Sequence, residues 1–124
     1  MIYLDTHVVV WLYAGLSGKF NPPVKALINE QNLAISPITR LELQFLYEIQ
    51  RLTVDAETIV TDLAGRVGLT ISNLDFDRAI SRALEISWTR DPFDRIIVAS
   101  ASLGDHVLVS KDPNILDHYP LARW

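Results

Sequence analysis

Short apolar runs of β type alternate with helical patterns along this chain, and that order restricts the fold more than any other feature. Parallel strands need a long crossover between them, usually a helix. A strand-helix-strand-helix order therefore implies a parallel sheet with helices on both faces. MIYLD reads as strand 1, LAISPI as strand 2, LTISNL as strand 3 and HVLVSKD as strand 4. THVVVWLYAG reads as a short helix with Thr6 as its cap and Gly15 as its stop. NPPVKALINEQN reads as a helix capped by Asn21, with Pro22 and Pro23 in its first turn. TRLELQFLYEIQRL follows Pro37 as an amphipathic helix, with Leu41, Phe45, Leu46 and Ile49 at helical spacing. DAETIVTDLAGRVG is a helix closing on Gly65 or Gly68, and DFDRAISRALEI is one capped by Asp75. DPFDRIIVASASLG is a helix with Asp91 as cap, Pro92 at its first position and Gly104 at its end. The tail NILDHYPLARW is expected to add a short edge strand. The expected architecture is an α/β sandwich of three layers, α/β/α, around a mainly parallel sheet of four to five strands.

The 124 residues suit one domain spanning 1–124. Hydrophobic residues make up 49% of the chain, enough for a sizeable core. No apolar run approaches the roughly 20 residues of a membrane span. The N-terminus lacks the basic start of a signal peptide, and there is no Cys. Disulfides, thiolate nucleophiles and thiolate-zinc sites are thereby excluded, and a cytoplasmic location is expected.

In open parallel sheets, ligands bind beyond the carboxyl ends of the strands. Four acids fall at that rim. Asp5 ends strand 1, Glu42 follows strand 2, Asp94 lies in the first turn of a helix and Asp112 ends strand 4. Together they carry a formal charge equal to the chain's entire net charge of −4. An acidic cluster with little His suits hard divalent cations, which prefer oxygen ligands and act on phosphates. Each acid also has a plainer reading. Asp5, Asp91 and Asp112 suit helix caps, Thr39-x-x-Glu42 matches a capping box, and Asp94 suits a helix dipole.

The segments MIYLDTH, SPITRLELQF, RDPFDRIIVASA and SKD together resemble PIN-domain ribonucleases, the toxin halves of VapBC toxin–antitoxin pairs. The resemblance implies a PIN-like fold and metal-dependent endonucleolytic cleavage of RNA. Mg²⁺ is the implied cofactor, with Mn²⁺ an alternative, held by Asp5, Glu42, Asp94 and Asp112. It also implies a homodimer and a small antitoxin whose tail enters the acidic groove. Asp91, Ser110, Thr6 and Arg95 are secondary site candidates, with Ser110 matching the small hydroxyl residue two before the fourth acid. Two other classes stay open: a PIN-like scaffold that does not cleave, and a receiver-type phospho-switch.

Arg40, Arg90, Arg95 and Lys111 adjoin the acids and are candidates for contacting an RNA backbone. His7, His106 and His118 read as structural or exposed. Trp11, Tyr13, Phe45 and Tyr47 read as core or dimer interface.

Overall fold

The computed structural model describes all 124 residues. Five strands form one sheet: β1 (Ile2–Leu4), β2 (Leu33–Ile35), β3 (Thr70–Ile71), β4 (Val107–Val109) and β5 (Ala122–Arg123). Their order is β3-β2-β1-β4-β5, and every neighbouring pair is parallel. This differs from the 2-1-3-4-5 order of receiver-type sheets. The chain leaves β1 for one side of the sheet and later returns to its other side. The resulting topological switch point lies at the carboxyl ends of β1 and β4.

Seven helices cover the sheet. They are α1 (Thr6–Tyr13), α2 (Pro22–Glu30), α3 (Pro37–Glu48), α4 (Ala56–Val67), α5 (Phe76–Leu84), α6 (Pro92–Ser102) and α7 (Pro113–His118). Alternate strand residues point to opposite faces, and the strands feed two cores accordingly. Ile2, Leu4, Leu33, Ile35 and Val109 join Val8, Val9, Leu43, Ile59 and Leu63 on one side. Tyr3 and Leu108 join Ile97, Val98, Ala101 and Ile115 on the other. The three-layer α/β/α expectation holds, with all five strands parallel.

Local chemistry sets the helix boundaries. Asp55 caps α4 by accepting from the Thr58 N–H, and Gly68 ends that helix in the left-handed region at φ +71°. Asp75 caps α5 as expected. Other boundaries depart from the sequence reading. The strands are shorter, β3 being two exposed residues. Asp5, not Thr6, caps α1, because its carboxylate accepts from the Thr6 N–H. Pro37 opens α3 rather than merely ending β2, with Ser36 as its cap, so Thr39 sits inside the helix and no capping box forms. Helix α3 stops at Glu48, where Gln50 turns the chain at φ 64°. The tail holds α7 as well as the expected edge strand β5.

The face of α3 is the largest correction. Leu41, Phe45 and Ile49 are 58%, 45% and 46% exposed, whereas Thr39, Glu42 and Leu43 are buried. The inward stripe contains a Thr and a Glu, so hydropathy alone assigns the core to the wrong side. Tyr47 is exposed too, which removes the core reading for both it and Phe45. No helix is long and apolar enough to cross a membrane.

Candidate active site

Asp5 stands where β1 becomes α1. Its N–H continues the sheet by donating to the Val109 carbonyl at 3.0 Å. Its side chain is only 6% exposed and is held by two donors. One oxygen accepts from the Thr6 N–H at 2.8 Å and the other from the Ser110 hydroxyl at 2.7 Å. Ser110 follows β4 and also accepts from the Asp112 N–H at 3.1 Å. A single buried hydroxyl thus fixes Asp5 and the loop carrying Asp112. Asp112 caps α7 through one oxygen, which accepts from the Asn114 and Ile115 N–H groups.

Thr6 is fully buried and donates its hydroxyl to Glu42 at 2.5 Å. This bond sets the direction of Glu42 and replaces the capping box. Asp91 caps α6 by accepting from the Phe93 and Asp94 N–H groups, which places Asp94 in the first turn. Beneath them the Ser100 hydroxyl, in the last turn of α6, donates to the Ser36 hydroxyl at 2.8 Å and ties that helix to the start of α3.

These residues enclose a cleft of about 430 Å³. Asp5, Glu42, Asp91, Asp94 and Asp112 supply its acidic wall, and His7, Trp11 and Lys111 complete the rim. All buried polar residues of the protein belong to the same region: Asp5, Thr6, Ser36, Thr39, Glu42, Ser100 and Ser110. Each lies just after β1, β2 or β4, or on α1, α3 or α6. Burying polar groups costs stability unless they are paired, and the Thr39 hydroxyl has no partner. A fold that needed only a core would not gather them there.

The acids raise one another's affinity for protons. Burial pushes the Asp94 carboxyl up to about 8, and the charges of Asp5, Asp91, Asp112 and Glu42 add to the shift. All of these influences act in the same direction. Burial also raises Asp5, partly offset by the Ser110 and Thr6 donors and by His7. Glu42 is raised by burial, against the Thr6 hydrogen bond. A site whose carboxylates are all pushed toward their protonated forms favours a positive ion in the proton's place.

The donor set suits such an ion, since hard dications prefer carboxylate oxygens. As the side chains stand, no three His, Asp or Glu residues form a closed metal-binding cluster. The hydrogen bonds explain the open arrangement. Thr6 draws Glu42 to one side, while Asp5, Asp91 and Asp112 each lend an oxygen to a helix start.

The four acids, Asp91, Ser110 and Thr6 therefore converge, but Arg95 does not join them. Its guanidinium donates twice to the Ala83 carbonyl, at 3.1 and 3.0 Å, tying α6 to the end of α5. Arg40 pairs with Glu57, and Arg90 turns back to the Ser87 carbonyl. Of the four adjoining cations, only Lys111 lines the cleft. His7 and Trp11 are the residues that the sequence reading missed there. They lie four apart on α1, hence on one helical face, two and six residues past Asp5. Plain helical geometry would have marked both.

Residues 2–120 match the PIN domain family. Ribonuclease VapC22 of Mycobacterium tuberculosis is 30% identical over 128 aligned positions, which cover 99% of this chain and 98% of that protein. Solved structures share the fold. VapBC2 from Rickettsia felis, bound to a DNA fragment from its promoter, superposes with a TM-score of 0.69 at 19% identity, covering 99% of this chain and 98% of that one. A toxin–antitoxin complex from Klebsiella pneumoniae gives 0.66 at 17% identity, covering 100% and 97%. Agreement in sequence and in fold, nearly from end to end, leaves one conclusion: the chain belongs to the PIN-domain family and is of the VapC type.

Proposed function

We propose that this chain, acting as one nuclease domain, is a metal-dependent endoribonuclease and the toxin of a toxin–antitoxin pair. The observation that carries this reading is the convergence of four acids, spread over more than a hundred residues of sequence, in one cleft at the switch point of the sheet. The family supports the reading, since a relative of full length is a ribonuclease.

Asp5, Glu42, Asp94 and Asp112 would hold divalent cations, Mg²⁺ or Mn²⁺. When bound, such ions offset negative charge on the phosphoryl group and acidify the attacking water. The chain's own residues do the rest. Ser110 and Thr6 hold Asp5 and Glu42 in fixed directions, so that few carboxylate rotamers need ordering as substrate arrives. Lys111 brings a positive charge to the rim, where a neighbouring phosphate would lie.

Two partners complete the proposal. A small antitoxin would insert its tail into the acidic groove, in keeping with the toxin–antitoxin complexes that share the fold. A second copy of the chain would cover the exposed apolar stripes. One stripe is Leu41 and Phe45 on α3 with Ile49 just past its end, and the other is Phe76 and Leu84 on α5. Phe93 lies against Phe45, with ring centroids 5.9 Å apart.

The test is cleavage of structured RNA in Mg²⁺ or Mn²⁺, with EDTA and Asp5→Asn as controls. Cleavage that needs the cation and is lost in the variant is the expected result. Equal cutting in EDTA would overturn the metal-nuclease reading. No cutting by the antitoxin-free protein, on a broad set of RNAs, would favour a scaffold that does not cleave.

A further inference from the structure

We propose that Trp11 is a stacking platform for an unpaired RNA base beside the scissile phosphate, with Lys19 and Lys111 taking the flanking backbone. The inference rests on reading the cleft as a ribonuclease site and adds a residue that holds the substrate beside the cut. Its basis is an aromatic and cationic cluster on one side of the acidic wall, which the acid chemistry leaves without a role.

Trp11 lines the cleft and is only half-buried. Its inner side is held firmly. Trp124 meets it edge-on with centroids 5.6 Å apart, and Phe20 supports Trp124 in the same way at 5.7 Å. The His7 ring lies 6.2 Å away along the same helical face. The indole is therefore fixed in place yet open to the cleft, with little rotamer freedom left to lose on binding.

Two ammonium groups flank this pair of indoles. Lys19 Nζ lies over one face of Trp11, 5.2 Å from the ring centroid, so a base would stack on the opposite face, and Lys111 Nζ lies over the Trp124 ring at 5.7 Å. Lys111 also lines the cleft. Aromatic faces for bases, interleaved with cations for phosphates, are what single-stranded nucleic acids bind. A cleft of about 430 Å³ has room for a small ligand such as one nucleotide.

Charge decides between RNA and a protein tail as the occupant of the indole. An acidic tail would face five carboxylates. A basic tail would suit those carboxylates but would meet two lysines at the indoles. An RNA strand satisfies both halves at once. Its phosphates meet the lysines, a base meets Trp11, and the scissile phosphate lies at the acids with their cations. The base must be unpaired, because a base inside a helix has both faces stacked.

The experiment compares wild type, Trp11→Leu and Trp11→Phe on one unpaired RNA, on its duplex, and on a set carrying a single abasic site at successive positions around the cut. Binding in Mn²⁺ and kcat/KM are both measured, and thermal melting confirms that the variants fold. One lost base stack should weaken binding and kcat/KM of Trp11→Leu by roughly 5- to 100-fold on the intact single strand, with Trp11→Phe recovering most of it. One abasic position should reproduce the loss in wild type, and Trp11→Leu should add nothing on that RNA. The inference falls if Trp11→Leu matches wild type. It also falls if the variant loses as much on every abasic RNA, since the indole then only props the site. Unchanged RNA binding together with weaker binding of an Arg-rich peptide would assign Trp11 to a protein partner instead. Failure of wild type to cut any RNA while still binding it through Trp11 would overturn the nuclease reading alone.

Discussion

Replacing Asp94 by Asn should make the metal-free protein more stable, and increasingly so as pH rises. In the folded state its carboxyl is raised to about 8 from an ordinary 3.8. Between those values the folded chain keeps a proton that the unfolded chain has released. Stability therefore falls as pH climbs through the window, because the unfolded state binds fewer protons than the native one. A shift of about four units corresponds to an upper bound of roughly 6 kcal/mol at about 1.4 kcal/mol per unit. Asp94 is only half-buried, and solvent screens much of that, which leaves about 1.5–2 kcal/mol. For a chain of this size, with an unfolding entropy of about 2.1 cal/mol/K per residue, that is about 6–8 °C in Tm. The assay is thermal melting in EDTA at pH 5, 6.5 and 8. The variant should melt above wild type at pH 8, with the gap narrowing toward pH 5. Adding Mg²⁺ or Mn²⁺ should raise wild type strongly at pH 8 and the variant much less, because the cation replaces the proton that Asp94 otherwise holds. A variant that tracks wild type at every pH, or melts below it at pH 8, would refute the reasoning.

Ser110→Ala removes the donor to Asp5 and an acceptor for the Asp112 N–H in a buried place. It should lower stability by about 1–3 kcal/mol in denaturant melts and cut RNA cleavage by about 10- to 100-fold. Phe45→Glu puts a charge in the middle of the apolar α3 stripe, and light scattering should show the proposed dimer falling to monomer, whereas a dimeric mass in the variant would remove this stripe from the interface. Arg95→Ala unties α6 from the Ala83 carbonyl. It should lower Tm while leaving the cleavage rate of folded protein unchanged, and a loss of rate at constant stability would return Arg95 to the site.

The sheet and the acids were legible because their signals are local. MIYLD, LAISPI and HVLVSKD each state a strand, and Asp5 and Asp112 sit at strand ends wherever the helices go. What was not legible depends on tertiary partners. The inward stripe of α3 runs through Thr39 and Glu42, and only the Thr6 hydroxyl explains why a Glu is buried there. The same bond removes the capping box, which the spacing of Thr39 and Glu42 suggested on its own. Arg95 looked like a site residue because it follows Asp94, yet adjacent residues on a helix point about 100° apart. Its guanidinium reaches the end of α5 instead. Trp11 was passed over for a different reason: an indole on an apolar helix reads as core, although its place six residues past Asp5, on the same helical face as His7, turns it toward the cleft.

The acids do not divide into caps and site residues, and this decides which substitutions inform. Asp5, Asp91 and Asp112 each cap a helix while facing the cleft. Changing any of them to Ala removes a cap worth about 1 kcal/mol together with a charge, so a loss of cleavage would not say which mattered. Asn caps as well as Asp does, and Asp5→Asn or Asp112→Asn therefore removes the charge while keeping the helix start. Asp94 needs no such care. Its side chain caps nothing and accepts no hydrogen bond, and its ionised form opposes folding. A cleft in which one carboxylate makes the empty protein less stable is arranged for something other than the fold. The sharpest evidence is a variant that gains stability and loses cleavage together. Asp94→Asn should do both, whereas Asp5→Ala should lose both.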